Sequence, residues 1–303
     1  MQRVAAGVEG DFLMRWPFPD ERSKKKFLAA GFSRVTCLYF PLALNDRIHF
    51  ACRLLTILFL IDDLLEDMSF EDGEAYNNQL MPVMAGEVQP NPDRAVEVMM
   101  WEMWEGMRQC DRDLSDKTLA DTFIFMRAQT DRSRAAIRNL GQYLEYRERD
   151  VGKALLSALM CFSMGLRLTP EEYTSVRSLE RNCAKQISVV NDICSWEKEL
   201  AQSKSSQAEG SALCCAVRIV AEETCLGIPA AKRILWVMVR EWSNRHDKMA
   251  ALRESSDQGC SNAVKMYVKG LEYQMSGNEE WSLSTMRYID LKPDQDERLD
   301  DVL

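Results

Sequence analysis

Histidine is almost missing from this chain: His49 and His246 are the two in 303 residues, and neither has a metal-ligand partner at helical spacing. Zinc chemistry and a Ser-His-Asp hydrolase are therefore poor fits, and any chemistry is directed toward carboxylates, arginine, lysine and metal ions. Each histidine reads as a surface or packing residue. Basic tracts are missing as well. The formal net charge is -9, Lys24–Lys26 is too short to offset it, and no stripe of interleaved basic and aromatic residues occurs, which argues against a nucleic-acid partner. Long apolar runs are also absent. Leu54 to Ile61, with Thr56 inside it, falls far short of the ~20 residues that span a bilayer, so no membrane span is expected. The N-terminus has neither a signal-peptide core nor an Arg/Ser-rich transit pattern. The ten cysteines are scattered without a CxxC pair, and such residues as Cys161 and Cys183 lie in apolar stretches, as reduced buried thiols would. Together these absences predict a soluble, cytoplasmic protein.

Glycine (14) and proline (9) are sparse, 46% of the residues are hydrophobic, and there is no internal repeat or convincing strand pair. The composition is that of an all-α protein in a single domain over residues 1–303, large enough to bury a sizeable core. Residues 1–20 are expected to be irregular, because Pro17 and Pro19 break the backbone, and 1–14 and 289–303 to be flexible. Asn45 or Asp46 is the expected cap of a helix through Phe50, Leu54, Leu55, Leu58 and Ile61, apolar almost all round and so central in a bundle. A polar connection is expected near Met81–Pro92, then a helix over Val96–Arg108 and one long helix from about Lys117 to Arg149, bent locally at Gly141. Thr169-Pro170-Glu171-Glu172 is a strong helix start, with Thr at N-cap, Pro at N1 and Glu at N3. The segment it opens should carry Ile187 and Val190 and stop in the small polar stretch Ser203–Gln207. Further helices are expected over Pro229 to about Arg253 and Cys260 to Met275.

The most informative segment is Asn191-Asp192-Ile193-Cys194-Ser195-Trp196-Glu197-Lys198-Glu199. Asn191, Ser195 and Glu199 recur every fourth residue, a step of roughly 400° on a helix, so an amide oxygen, a hydroxyl and a carboxylate project from one face. These are hard donors of the kind Mg²⁺ accepts. Lys198 adds a cation near the same face. Upstream, Asp62-Asp63-Leu64-Leu65-Glu66-Asp67 closes the apolar helix with a second set of oxygens. Alone such a cluster is weak, since acidic helix ends are usually solvated; at the end of a buried helix its charges need cations or metal. Asp62 and Glu66 share a face, whereas Asp63 looks elsewhere and is placed to pair with an arginine. Two unlike metal-binding faces in one helical chain suggest several Mg²⁺ ions gripping a diphosphate.

Those motifs resemble a known family. Asp62-Asp63-Leu64-Leu65-Glu66 is similar to the Asp-rich motif of class I terpene synthases, and Asn191 to Glu199 to their second metal motif in its microbial form, with Lys before the final Glu. Arg287-Tyr288 resembles the Arg-Tyr pair near the C-terminus of fungal members, and Tyr143 to Asp150 the segment with the diphosphate-sensing arginine, here Arg147. The resemblance spans about Arg15 to Tyr288 and is nearest to the fungal aristolochene synthases. It implies a helical bundle around a central cavity, three Mg²⁺ ions and farnesyl diphosphate as substrate. Asp62, Asn191, Ser195 and Glu199 would hold metal; Arg147, Lys198, Arg287 and Tyr288 would bind diphosphate. Asp63 would orient an arginine, for which Arg287 is the candidate, and Glu66 is a candidate further ligand. By the same resemblance, carbon-1 would close onto carbon-10 and a germacrene intermediate would be reprotonated on the way to a bicyclic hydrocarbon.

A carbocation needs a dry cavity lined with π faces, for which Phe59, Phe125, Tyr39 and Trp281 are candidates, although aromatics at helical spacing are as often plain core. Relatives of this kind are often homo-oligomers, and Met99–Trp104 reads as either interface or core. Two other functions compete: a chain-elongating prenyl diphosphate synthase, which would carry a second Asp-rich motif in place of Asn191–Glu199, and an inactive cyclase-like binding protein, which would have lost ligands.

Overall fold

The computed structural model describes residues 2–206, 208–255 and 259–289, and every regular element among them is helical. In chain order these are α1 (Gln2–Arg15), α2 (Glu21–Ala30), α3 (Phe32–Tyr39), α4 (Ile48–Leu65), α5 (Phe70–Ala85), α6 (Ala95–Cys110) and α7 (Arg112–Gln129), followed by a short 3₁₀ turn (Arg132–Ala136). After it come α8 (Leu140–Asp150), α9 (Lys153–Met164), α10 (Pro170–Ser205), α11 (Ala216–Thr224), α12 (Ile228–Glu254), α13 (Asn262–Ser284) and α14 (Met286–Ile289).

The apolar helix read from the sequence is α4. Leu54, Leu55, Ile57, Leu58, Leu60 and Ile61 are all buried, and the helix packs against α1, α3, α6 and α9. Each such side chain contributes roughly 1.5–3 kcal/mol on burial. That exceeds what any exposed ion pair supplies, so packing fixes α4 at the centre and carries its acidic end to a set place. Helix α10 begins as expected: the Thr169 hydroxyl accepts from the Glu172 N–H at 3.2 Å, and the Glu172 carboxylate accepts from the Thr169 N–H at 2.8 Å. It continues unbroken for 36 residues, packed between α12 and α13.

Three expectations are corrected. Residues 1–20 are not irregular throughout: α1 forms because Val4, Val8 and Phe12 recur every fourth residue, and Val8 and Phe12 are buried against α3 and α4. The expected single helix over Lys117–Arg149 is two, α7 and α8. Asp131 and Asn139 accept backbone N–H groups from Ser133 and Gln142, at 2.9 Å each, and so start new elements; Gly141 lies inside the first turn of α8 rather than at a bend. Pro82, placed by the sequence in a connection, lies inside α5, which ends only at Gly86 in the left-handed region (φ 77°).

The Met99–Trp104 run is core within the protomer, since Met99, Met100, Met103 and Trp104 are all buried. The helix expected from Cys260 to Met275 runs to Ser284. Helix α10 ends at Ser205, within the expected polar stretch, whose Gln207 lies outside the described residues. Of the tail, Ile289 closes α14 and 290–303 lie outside the described residues. No helix is long and apolar enough to cross a membrane among the described residues.

Candidate active site

Helices α3, α4, α5, α7, α8, α9, α10, α13 and α14 line a cavity of about 220 Å³. It is lined by every residue singled out from the sequence except Asp63: Tyr39, Phe59, Asp62, Glu66, Phe125, Arg147, Asn191, Ser195, Lys198, Glu199, Trp281, Arg287 and Tyr288. The two oxygen arrays therefore open on one space. Asp62 stands on the last turn of α4 and Glu66 caps that helix; Asn191, Ser195 and Glu199 climb one face of α10.

Asp63 lies behind this wall and holds Arg287, whose guanidinium donates to its two oxygens at 2.9 and 2.5 Å. Lys198 Nζ bridges the arrays, 2.6 Å from Glu66 and 3.5 Å from Asp63. On α10, Ser195 Oγ donates to Glu199 Oε1 at 2.5 Å. Asn191 is held from both ends of its amide: Arg147 donates to its Oδ1 at 3.0 Å, and its Nδ2 donates to the Tyr288 hydroxyl at 3.0 Å.

The electrostatics follow from burial. Desolvation and the neighbouring Asp63 push the Asp62 carboxyl above its usual range, against Lys198 and Arg287. Burial also pushes Glu66 up although Lys198 touches it. For Asp63 burial acts in the same sense, but Arg287 and Lys198 outweigh it and hold the carboxyl low. Burial works against the charge on Arg147, yet Tyr143, Asp150 and Asp192 keep it firmly protonated. The mouth is thus a half-buried region where carboxylates crowd together and cations are already drawn in. Amide, hydroxyl and carboxylate oxygens meeting there suit a hard divalent cation. Among the described residues no three His, Cys, Asp or Glu side chains form a cage by themselves.

Away from the mouth the cavity is apolar and aromatic. Phe125 of α7 rests on Gly152, where a Cβ would sit 3.1 Å from the ring. Phe59 lies 5.7 Å from Trp281, and Trp281 meets Tyr288 edge-on at 5.5 Å. The Tyr39 hydroxyl is satisfied by Asn278 Oδ1 at 2.9 Å.

Several site residues escaped the sequence reading. Gln129 Nε2 donates to Asp62 Oδ1 at 2.9 Å. Asp192, 1% exposed, accepts from the Ala216 N–H at 2.8 Å and from Tyr143, and stands 3.5 Å from Arg147. Asp150 pairs with Arg147 one turn on, a spacing that was legible. Gln129 and Asn278 carry no local signal and arrive through long-range packing. So does the strap after α10. Gly210 N–H donates to the Met68 carbonyl at 3.0 Å, Glu209 accepts the Phe70 N–H at 3.0 Å, and a Cβ at Gly210 would lie 2.0 Å from the Leu65 carbonyl oxygen. Glycine alone allows that approach.

Residues 53–245 match the family "Terpene synthase family 2, C-terminal metal binding". The chain is 59% identical over 288 residues to an aristolochene synthase of Penicillium roqueforti, covering 95% of this chain and 84% of the relative. It is 57% identical over 288 residues to one from Aspergillus terreus, covering 95% and 90%. The crystal structure of aristolochene synthase from Penicillium roqueforti superposes with a TM-score of 0.83 at 58% identity, covering 94% of each chain. With likeness of this degree running nearly end to end, and both motif helices inside it, the chain belongs to the class I terpene synthase family, among the aristolochene synthases.

Proposed function

We propose that this chain, acting as one catalytic α domain, binds farnesyl diphosphate with three Mg²⁺ ions, ionises it and cyclises the carbocation to aristolochene, releasing diphosphate. As a family member it is a terpene cyclase that uses a divalent metal and a prenyl diphosphate. The observation that carries the finer reading is the shared cavity, where two oxygen arrays and four diphosphate-binding candidates gather at one end of an aromatic pocket.

Each residue has a role that follows from its place. Asp62 on α4 and Asn191, Ser195 and Glu199 on α10 are the metal ligands. A divalent metal held by them would supply Lewis acidity to offset the charge of the departing diphosphate. Arg147, Lys198, Arg287 and Tyr288 donate to diphosphate oxygens, in a half-buried setting where each charge counts for more than in water. Asp63 orients Arg287. Glu66 accepts Lys198 on Oε1, which leaves Oε2 as the oxygen it would offer a cation. Phe59, Phe125 and Trp281 offer ring faces to the cation, while Tyr39 has its hydroxyl turned onto Asn278. With no histidine in the cavity, released diphosphate is the fitting proton acceptor and donor.

Incubation with farnesyl diphosphate and Mg²⁺, with and without isopentenyl diphosphate, followed by gas chromatography with mass detection of hydrocarbons and of the alcohols released by phosphatase, tests this. A bicyclic C15 hydrocarbon that co-elutes with aristolochene is expected. A longer prenyl diphosphate would make the chain an elongating synthase, and no turnover by the folded protein would make it a binding module.

A further inference from the structure

Phe32, the first residue of α3, does not line the cavity and is 2% exposed, yet it touches two groups that do. Its ring stacks on Phe59 with centroids 4.5 Å apart and planes 11° from parallel. The Arg287 guanidinium carbon lies 5.4 Å from the Phe32 ring centroid. We propose that Phe32 is a positioning residue for cyclisation, fixing the angle at which Phe59 presents its ring to the carbocation and tying that angle to the engagement of Arg287. The inference rests on the cyclase reading above.

The corner that carries Phe32 is built to hold still. Helices α2 and α3 meet at Gly31, which adopts φ 65°. The carbonyl of Ala30 just before it accepts from Trp281 Nε1 at 2.8 Å and from Thr285 Oγ1 at 2.9 Å. Phe32 is thereby fixed to α13 and to the start of α14, the segments that supply Trp281 and Arg287. A ring in a cavity wall has one open side, so whatever lies behind it sets its tilt. For Phe59 that backing is a near-parallel ring, which resists rotation about the bond joining ring to chain. Attraction between a cation and a ring falls off when the cation leaves the ring face. A Phe59 free to tilt therefore stabilises late cations less well, and intermediates leave early.

The test is the partition between early-released monocyclic germacrene-type product and bicyclic product, measured for wild type, Phe32→Leu, Phe59→Leu and the double variant. Phe32→Leu is expected to raise the monocyclic share about two- to tenfold, the weight of one aromatic pair. The double variant should match Phe59→Leu alone, because Phe32 acts through that ring. Phe32→Tyr keeps the ring and should restore the wild-type ratio, a rescue that mere core filling by leucine would not give. An unchanged ratio in folded Phe32→Leu, or effects that multiply in the double variant, would overturn the role. Loss of fold in both Phe32→Leu and Phe32→Met would also overturn it, by making Phe32 an ordinary core residue. A wild-type chain that gives no cyclic product would instead sink the cyclase reading itself and this inference with it.

Discussion

At the scale of the residue, Asn191 shows how little redundancy the mouth contains. Its one amide receives Arg147 and donates to Tyr288, so a single side chain links a metal-ligand face to two diphosphate-binding candidates. Asn191→Leu keeps the volume but removes both bonds and one hard oxygen. Glu199→Ala removes a carboxylate and frees the Ser195 hydroxyl. Either change is expected to lower turnover of farnesyl diphosphate by about a hundredfold or more, as loss of a metal-positioning or charge-stabilising group does elsewhere. Far-ultraviolet circular dichroism should stay as in wild type, because α10 draws its stability from the buried run Ile187–Trp196 and its capped start. Normal rates at limiting Mg²⁺ would remove both residues from the metal site.

At the scale of the element, the site depends on how closely helices approach. Helix α13 passes α3 at Gly277, where an added Cβ would lie 2.9 Å from both the backbone and the Cβ of Leu38. Gly277→Ala sets two effects against each other. Alanine favours the helix by about 1 kcal/mol, whereas overpacking a contact made partly of backbone costs about 1–3 kcal/mol. The second should win, so the urea midpoint is expected to fall; a rise would mean that α13 can shift without strain. Because Asn278 and Trp281 lie on the same helix, a change in product ratio should accompany the fall. Approaches of this kind were not legible in the sequence. Helix α4, the start of α10 and both oxygen arrays were, because periodicity and caps are local. The break between α7 and α8 was missed because helix formers flank it and only two cap residues announce it. Gln129 reaches Asp62 across 67 positions of chain, and no spacing rule anticipates that.

At the scale of the whole molecule, the near absence of histidine sharpens one test of stability. His246 on α12 is 1% exposed, and neither ring nitrogen has a hydrogen-bond partner. Burial lowers its pKa from 6.5, with Lys153 acting in the same sense and Glu272 and Asp247 opposing. Below about pH 6.5 the unfolded chain takes up a proton that the folded chain resists, so the contribution of His246 is complete above that pH and declines as the pH falls toward its folded value. The limiting slope for one such group is about 1.4 kcal/mol per pH unit. Carboxyls that burial pushes up, Asp62, Glu66 and Asp192 among them, act with the opposite sign. Glu66 and Asp192, both pushed up to about 7, hold protons in the folded state that the unfolded chain has already lost, so their stabilisation fades as pH rises from about 4 to 7. The wild-type curve alone is therefore a sum of opposed trends, and the informative quantity is a difference. His246→Leu removes the histidine while leaving the carboxyls in place, and His49, half-buried on α4, is common to both proteins. Urea unfolding of the two at pH 7.5 and pH 5 should show the wild type losing more stability than the variant over that interval. Parallel losses would mean that His246 finds a partner for its proton within the folded chain.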